Sequence, residues 1–367
     1  MASPDELAVK IAGLDAYVVV DRLVQGLAGG GLRFHPSVDL HEMRRLARTM
    51  TQKWALLGLP FGGCKLGIRG RPDKADMSIV LEGFAREVKT FVRGRIFTGP
   101  DMGTSPSNLR IFFNAVGQDS YDIVAKRLRS LGYHSTPKGT YITILRALQV
   151  DITGLAAARA AAEAWRKMGG SLEDVTVSIQ GFGSVGRAVA QEMNRLGATV
   201  VCIADELGCL WNPKGLDLSR LSGSTPGLMS RHDLPHGTEE QAGEQWLGVD
   251  AEVLVPAAVA DAINWDNLQK VHAKMVVEAA NIPVPEDVEE QLHKSGTLVL
   301  PDFLVNGGLA AAFGTLLTSV WERQEDVLED VVGRIVSSTS QVIDRALTQG
   351  RLPREVAREV AMCKLQD

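Results

Sequence analysis

The chain has 367 residues, 45% of them apolar and 23% charged, which excludes a disordered polymer and leaves room for two domains of ordinary size. A formal net charge of −5 with no basic tract excludes electrostatic capture of nucleic acid. No apolar run approaches membrane-spanning length, and MASPDELAVK has neither the basic opening nor the apolar core of a signal peptide, so a cytoplasmic protein without a membrane partner is expected.

In chain order, DAYVVVDRL and GGLRF read as short strands joined by a glycine-rich connection. PSVDLHEMRRLARTMTQKWALLGLP reads as a helix, with Asp39 as cap and Leu40, Met43, Leu46, Ala47, Met50, Trp54 and Leu57 at helical spacing. PFGGCKLGI follows as a glycine-rich turn that holds Lys65 among apolar residues. MSIVLEGFAREVKTFV is a second amphipathic helix, RIF a short strand, and GPDMGTS a tight turn carrying Asp101. One long helix is expected from Thr140 to Met168. After it, VTVSIQ, TVVCIA, AEVLVP, KMVVEAA and TLVLP alternate with helical segments, the pattern of a doubly wound parallel sheet. The tail from Ala311 to Asp367 reads as helical and is expected to pack back on the first domain. The fold class is therefore α/β in two domains, 1–136 plus 311–367 and a Rossmann-type domain over 137–310. Cys64, Cys202, Cys209 and Cys363 lack metal-ligand spacing and read as reduced thiols, so no metal is expected.

Within the second domain, VTVSIQGFGSVGRAVAQEMNRLG gives a strand, a glycine turn and a helix. Glycines at 181, 183 and 186 permit a tight turn, close approach of a pyrophosphate, and close helix–strand packing. The helix N-terminus offers free N–H groups and partial positive charge. Gly181, Phe182, Gly183, Ser184, Val185 and Gly186 are thus expected along a dinucleotide. Asp205 ends the next strand about 20 residues beyond the last glycine, where a carboxylate accepts from a ribose 2′-hydroxyl and opposes a 2′-phosphate. That favours NAD. Asn281, Asp302 and Asn306 follow the ends of later strands, the edge that faces the ligand in such sheets; each taken alone is more readily a cap or loop residue, and their shared position is what raises them.

Lysine is rarely buried without a partner, so Lys53 beside an apolar helical stripe and Lys65 among glycines raise one question. Both can be snorkelling side chains. A desolvated lysine, however, loses its proton more easily and becomes useful near neutral pH. Asp101 is either a turn residue bonded to its own backbone or a proton carrier.

The succession GGLRFHP, MTQK, LPFGGCKLGI, GPDMGT, GFGSVG, VLVPAA, EAAN and LPDFLVNGG, collinear from about residue 16 to about residue 315, resembles the glutamate/leucine/phenylalanine/valine dehydrogenase family. The resemblance implies a substrate-binding and oligomerisation domain at the N-terminus, a homo-oligomer, and reversible oxidative deamination of an L-amino acid to its 2-oxo acid and ammonia. It makes Lys53 the ligand of the substrate carboxylate, Lys65 the catalytic lysine and Asp101 the general base. Thr140 would lie near the nicotinamide amide, and Asn281 beside the nicotinamide ribose and substrate. Asn306, in the last motif, would join the cofactor site. The chemistry asks for these residue types: a cation for the carboxylate, a second for the developing carbinolamine oxygen, and a carboxylate to relay protons.

Two departures stand out: Leu309 replaces a glycine in the last motif, and TPKGTYIT is a loose version of the threonine loop. In the family's glutamate enzymes a lysine and a serine bind the γ-carboxylate; the matching positions here are Gly29 and Phe313. An apolar substrate, branched-chain or aromatic, is expected. The alternatives are an NAD(P)-dependent glutamate dehydrogenase and a catalytically silent dinucleotide-binding relative. A hydroxy-acid dehydrogenase lacks a histidine in a suitable context.

Overall fold

The computed structural model describes residues 5–221, 229–231 and 234–365. The chain divides into two units, Met1–Ile142 with Phe313–Glu322 and Lys364–Asp367, and Thr143–Ala312 with Arg323–Cys363.

The first unit is built on strands β1 (Asp5–Ile11), β2 (Leu14–Val20), β3 (Ala28–His35), β4 (Gly62–Arg69) and β5 (Ile96–Pro100), in sheet order β1-β2-β4-β3-β5. β2 is antiparallel to β1 and β4, whereas β3 runs parallel to β4 and β5. Helices α1 (Leu40–Leu56), α2 (Met77–Val92), α3 (Pro106–Val116) and α4 (Ser120–Arg129) complete it, and α5 (Lys138–Leu148) carries the chain onward. Asp39 does cap α1, accepting from Glu42 N at 2.7 Å. The expected turn at PFGGCKLGI is instead β4, buried throughout except at its last residue. Its glycines serve close packing: a Cβ on Gly63 would sit 2.2 Å from Ala47 O and 2.3 Å from Thr51 N. The helix backbone thus lies directly on the strand backbone. Thr51 Oγ1 closes the seam, accepting from Gly63 N at 3.0 Å and donating to Asp21 Oδ2 at 2.6 Å.

The second unit holds α6 (Ile152–Lys167), β6 (Thr176–Gln180), α7 (Ser184–Arg195), β7 (Thr199–Asp205), β8 (Gly208–Trp211), β9 (Glu239–Gln241), β10 (Val253–Pro256), β11 (Met275–Val277), α8 (Glu286–Lys294), β12 (Leu298–Leu300), α9 (Asp302–Val305), α10 (Gly308–Thr318, whose end belongs to the first unit), α11 (Gln324–Gln349) and α12 (Pro353–Lys364). The sheet order is β12-β11-β10-β6-β7-β8-β9, parallel through β7 and antiparallel in the β8–β9 extension. The chain leaves β6 toward β7 and later returns to its other side with β10, so the carboxyl end of β6 is the topological switch point. The expected helix from Thr140 to Met168 is broken between α5 and α6. The tail also differs from expectation. Residues 323–363 belong to the second unit, where α11 buries Val327, Val331, Ile335 and Val342 and packs on the alanine-rich α6. Among the described residues no single helix is long and apolar enough to cross a membrane.

Candidate active site

In the first unit β4 carries Lys65 and the turn after β5 carries Asp101. The ammonium lies 2.7 Å from Asp101 Oδ2, and both side chains are largely buried. Space for this pair comes from Gly31, where a Cβ would meet Asp101 Cβ at 3.0 Å and Lys65 Nζ at 3.3 Å. Thr104 pins the turn: its hydroxyl donates to Leu32 O at 2.7 Å and accepts from Asp101 N at 2.9 Å. Lys65 is therefore a paired ammonium on a strand, not one isolated in an apolar turn.

A residue that sequence reasoning missed completes the arrangement. Arg33 on β3, 4% exposed, donates through Nε to Asp101 Oδ2 at 3.0 Å and through Nη1 to Glu42 Oε1 at 2.5 Å. The signal was present, since an arginine within the apolar strand GGLRF needs a buried counter-charge. Burial alone would raise the Asp101 carboxyl, but the Lys65 and Arg33 charges outweigh it and hold the group well below the ordinary carboxylate range. Asp101 is thus ionised at neutral pH. Lys53, in the last turn of α1, is 5% exposed.

Beside these charges stands a wall of rings. Phe97 stacks on Phe313 with centroids 5.0 Å apart and planes 8° apart, and meets Phe61 edge-on at 5.0 Å. Trp54 adds a further edge-on contact to Phe61 and donates from Nε1 to Gly29 O at 3.1 Å. Tyr141 packs edge-on against Phe313. Gly29 does not leave open space: Phe97 fills it, its ring 2.2 Å from where a Cβ would stand. Phe97, also missed in the sequence, thus touches both predicted specificity positions. Thr140 lies in the first turn of α5, half-buried and within the first unit rather than the dinucleotide domain.

In the second unit, β6 runs into the glycine turn and α7. Gly181 has φ +99°, and a Cβ on Gly186 would stand 2.0 Å from Gly181 O, so only glycine closes this turn. Gly183 is the N-cap of α7, with no side-chain cap, and Gly183 and Ser184 are exposed. The helix N–H groups are left for an outside acceptor, which fits a pyrophosphate. Val185 is half-buried, and the Phe182 ring turns inward at 2% exposure, so Phe182 can serve a dinucleotide through its backbone only.

Asp205 ends β7 as expected but is already engaged. Arg231 grips it with Nη2 at 2.6 Å and Nη1 at 2.9 Å, while Met229 N and Leu207 N donate at 2.8 and 2.9 Å. Burial pushes its carboxyl up, and these donors more than offset that, leaving it below the ordinary value. Nothing in the local sequence signals a partner 26 residues away.

The edge of the sheet does bring Asn281 and Asn306 together, since Asn306 Nδ2 donates to Ala280 O at 2.9 Å and to Asn281 Oδ1 at 3.3 Å. Asp302, by contrast, is fully buried and faces the protein interior. It belongs to a cluster in which Arg354, on α12, pairs with Glu278 at 2.7 Å and with Glu289, and lies 3.7 Å from Asp302. Burial pushes the Glu278 carboxyl up to about 8 despite the arginine.

Comparison with known proteins agrees with this geometry. Residues 147–367 match the Glutamate/Leucine/Phenylalanine/Valine dehydrogenase family, and residues 6–118 match the dimerisation domain of the same family. The chain is 32% identical over 311 residues to a glutamate dehydrogenase of Thermotoga maritima, covering 80% of this chain and 69% of that protein. It is 32% identical over 288 residues to an NADP-specific glutamate dehydrogenase of Saccharolobus shibatae, covering 76% of this chain and 65% of the relative. A hetero-hexameric glutamate dehydrogenase from Thermus thermophilus, solved in a leucine-bound form, superposes with a TM-score of 0.77 at 29% identity, over 99% of this chain and 88% of that one. L-tryptophan dehydrogenase from Nostoc punctiforme shares the fold, with a TM-score of 0.68 at 20% identity over 99% and 95% of the two chains. Two collinear domain matches, a paired lysine and aspartate in one unit and a glycine turn at the switch point of the other lead to one conclusion: the chain belongs to the glutamate/leucine/phenylalanine/valine dehydrogenase family.

Proposed function

We propose that the protein oxidatively deaminates an L-amino acid with an apolar side chain, branched or aromatic, to the 2-oxo acid and ammonia. The observation that carries this reading is the buried Lys65–Asp101 pair at 2.7 Å, backed by Arg33 and flanked by the Phe97–Phe313 stack. A nicotinamide dinucleotide, when bound along the Gly181–Gly186 turn, would supply the hydride acceptor for the substrate Cα. Lys53 would bind the carboxylate and orient Cα. Lys65 would stabilise the oxygen that develops as water adds to the imine carbon, and Asp101 would take a proton from that water and return it to the departing amine. Because Asp101 is held ionised by two cations, the pair acts as the acid–base unit rather than either residue alone.

The chemistry of the ring wall supports an apolar side chain. A γ-carboxylate needs a buried cation, whereas here the position corresponding to the family's lysine is a glycine covered by Phe97. Glutamate is the second reading, because the relatives at 32% identity carry that name. NAD is the cofactor that Asp205 favours, but Arg231 neutralises that carboxylate, so discrimination against NADP is expected to be weak. A homo-oligomer formed through the first unit and a cytoplasmic location belong to the same reading. The first is supported by the match to a dimerisation domain and the second by four free thiols.

The test is a screen of leucine, valine, phenylalanine, tryptophan and glutamate with each oxidised cofactor, following absorbance of the reduced form. Higher kcat/KM for an apolar substrate supports the proposal. Glutamate as the best substrate overturns the side-chain assignment. No turnover with any of them favours the silent relative.

A further inference from the structure

We propose that Asp302 is a positioning residue that holds a strained backbone turn next to Asn281 and so sets the spacing of the two asparagines. This rests on the reading of Asn281 and Asn306 as cofactor-contacting residues.

The starting observation is Ile282, directly after Asn281, with φ +51°. It is the one β-branched residue among the four non-glycine residues with positive φ in the described chain. A branched side chain disfavours this conformation strongly, and it persists only where the surroundings over-determine it. Two bonds do so here. Ile282 N donates to Asp302 Oδ2 at 3.1 Å, and Ile282 O accepts from Asp261 N at 3.0 Å, Asp261 itself having φ +52°.

Asp302 is in turn fixed from behind. Its N–H donates to Glu278 Oε2 at 2.8 Å, its Oδ1 accepts from Phe303 N at 2.8 Å, and Arg354 stands 3.7 Å away while bonding Glu278 and Glu289. The same residue reaches the second asparagine through its carbonyl, which accepts from Asn306 N at 2.9 Å. One buried side chain therefore grips the backbone beyond Asn281, while its own main chain grips Asn306. The Asn306–Asn281 bond at 3.3 Å closes the loop. The mechanism above assigns no chemistry to Asp302, and its full burial removes it from contact with substrate. Its role is to maintain a backbone conformation that isoleucine alone would abandon.

The experiment compares four chains: wild type, Asp302→Ala, Ile282→Gly and the double variant, with Ile282→Ala as control. NADH and NADPH affinity are read by fluorescence titration, and Tm is read for each chain. Asp302→Ala should raise Kd about tenfold, the scale of one released backbone strain. In the Ile282→Gly background, where positive φ costs little, the same change should raise Kd less than about threefold. In the wild-type background Ile282→Gly should melt above Ile282→Ala, the reverse of the usual order. An equal Kd loss from Asp302→Ala in both backgrounds, or a higher Tm for Ile282→Ala than for Ile282→Gly, overturns the proposal. The Tm order needs neither a cofactor nor a folded Asp302→Ala chain. Wild type that binds no dinucleotide would strike the functional reading, and the Tm order would still judge the strained turn.

Discussion

Arg231→Gln should shift cofactor choice toward NAD. In the wild type four donors occupy Asp205, two of them from a guanidinium whose side chain is 18% exposed, and the carboxylate itself is fully covered. Removing the guanidinium leaves Met229 N and Leu207 N to hold the carboxylate in place. Two of its acceptor positions become open to a ribose diol, and its charge is no longer neutralised. Two unit charges about 6 Å apart at an effective dielectric near 20 interact by roughly 2.8 kcal/mol. Salt and partial exposure reduce that, and half of it, about 1.4 kcal/mol, is a factor of ten. The ratio of Kd for NADPH to Kd for NADH should therefore be within about tenfold of unity in wild type and rise at least ~10-fold in the variant. Fluorescence titration with both reduced cofactors measures it without turnover. A wild-type preference for NADH above ~100-fold, or an unchanged ratio in an intact Arg231→Gln protein, would refute the reasoning.

The remaining expectations concern chemistry, acidity and packing. Lys65→Ala and Asp101→Asn should each lower kcat by at least ~10²-fold while leaving NADH affinity within about twofold, whereas Lys53→Ala should act mainly through KM for the amino acid; steady-state kinetics with titration separates them. Burial raises the Glu278 carboxyl to about 8, so between the ordinary glutamate range and that value the folded chain binds more protons than the unfolded one and stability falls as pH rises. Glu278→Gln should flatten that decline in Tm against pH, and an unaltered slope would show that another group causes it. Gly63→Ala forces a Cβ to within 2.2 Å of Ala47 O and should cost about 1–3 kcal/mol in denaturant unfolding. It should also raise KM, since Lys53 lies on the displaced helix.

Much of this fold is legible in local patterns, and the exceptions share a cause. Asp39 as cap, the β6–turn–α7 cofactor element and the five parallel strands each depend on residues within a few positions of one another. β4 is hard to read because Gly62, Gly63 and Gly67 look like turn residues, whereas Gly63 and Gly67 make room for α1 and Gly62 for the backbone at Arg22 and Leu23, contacts between segments far apart in sequence. The division of the tail depends on what α11 meets in three dimensions. At the site, Lys65 and Asp101 were legible as unusual residues in unusual contexts. Phe97 beneath Gly29, Arg33 behind Asp101 and Arg231 on Asp205 were not, because each matters through a distant partner. Asp302 is legible as a residue at a strand end, but strand position alone does not say whether a side chain faces inward.

The seam between α1 and β4 has a consequence for how such a protein can change. Gly63 puts peptide against peptide, so while that glycine is kept the strand that carries Lys65 is located mainly by main-chain atoms. The ring wall is the opposite kind of construction, with Phe97 and Phe313 defined wholly by their side chains and one of them partly exposed. Reactive groups on the first and recognition groups on the second can drift independently. A lineage can exchange the wall to accept a new amino acid while the ammonium stays where the backbone put it.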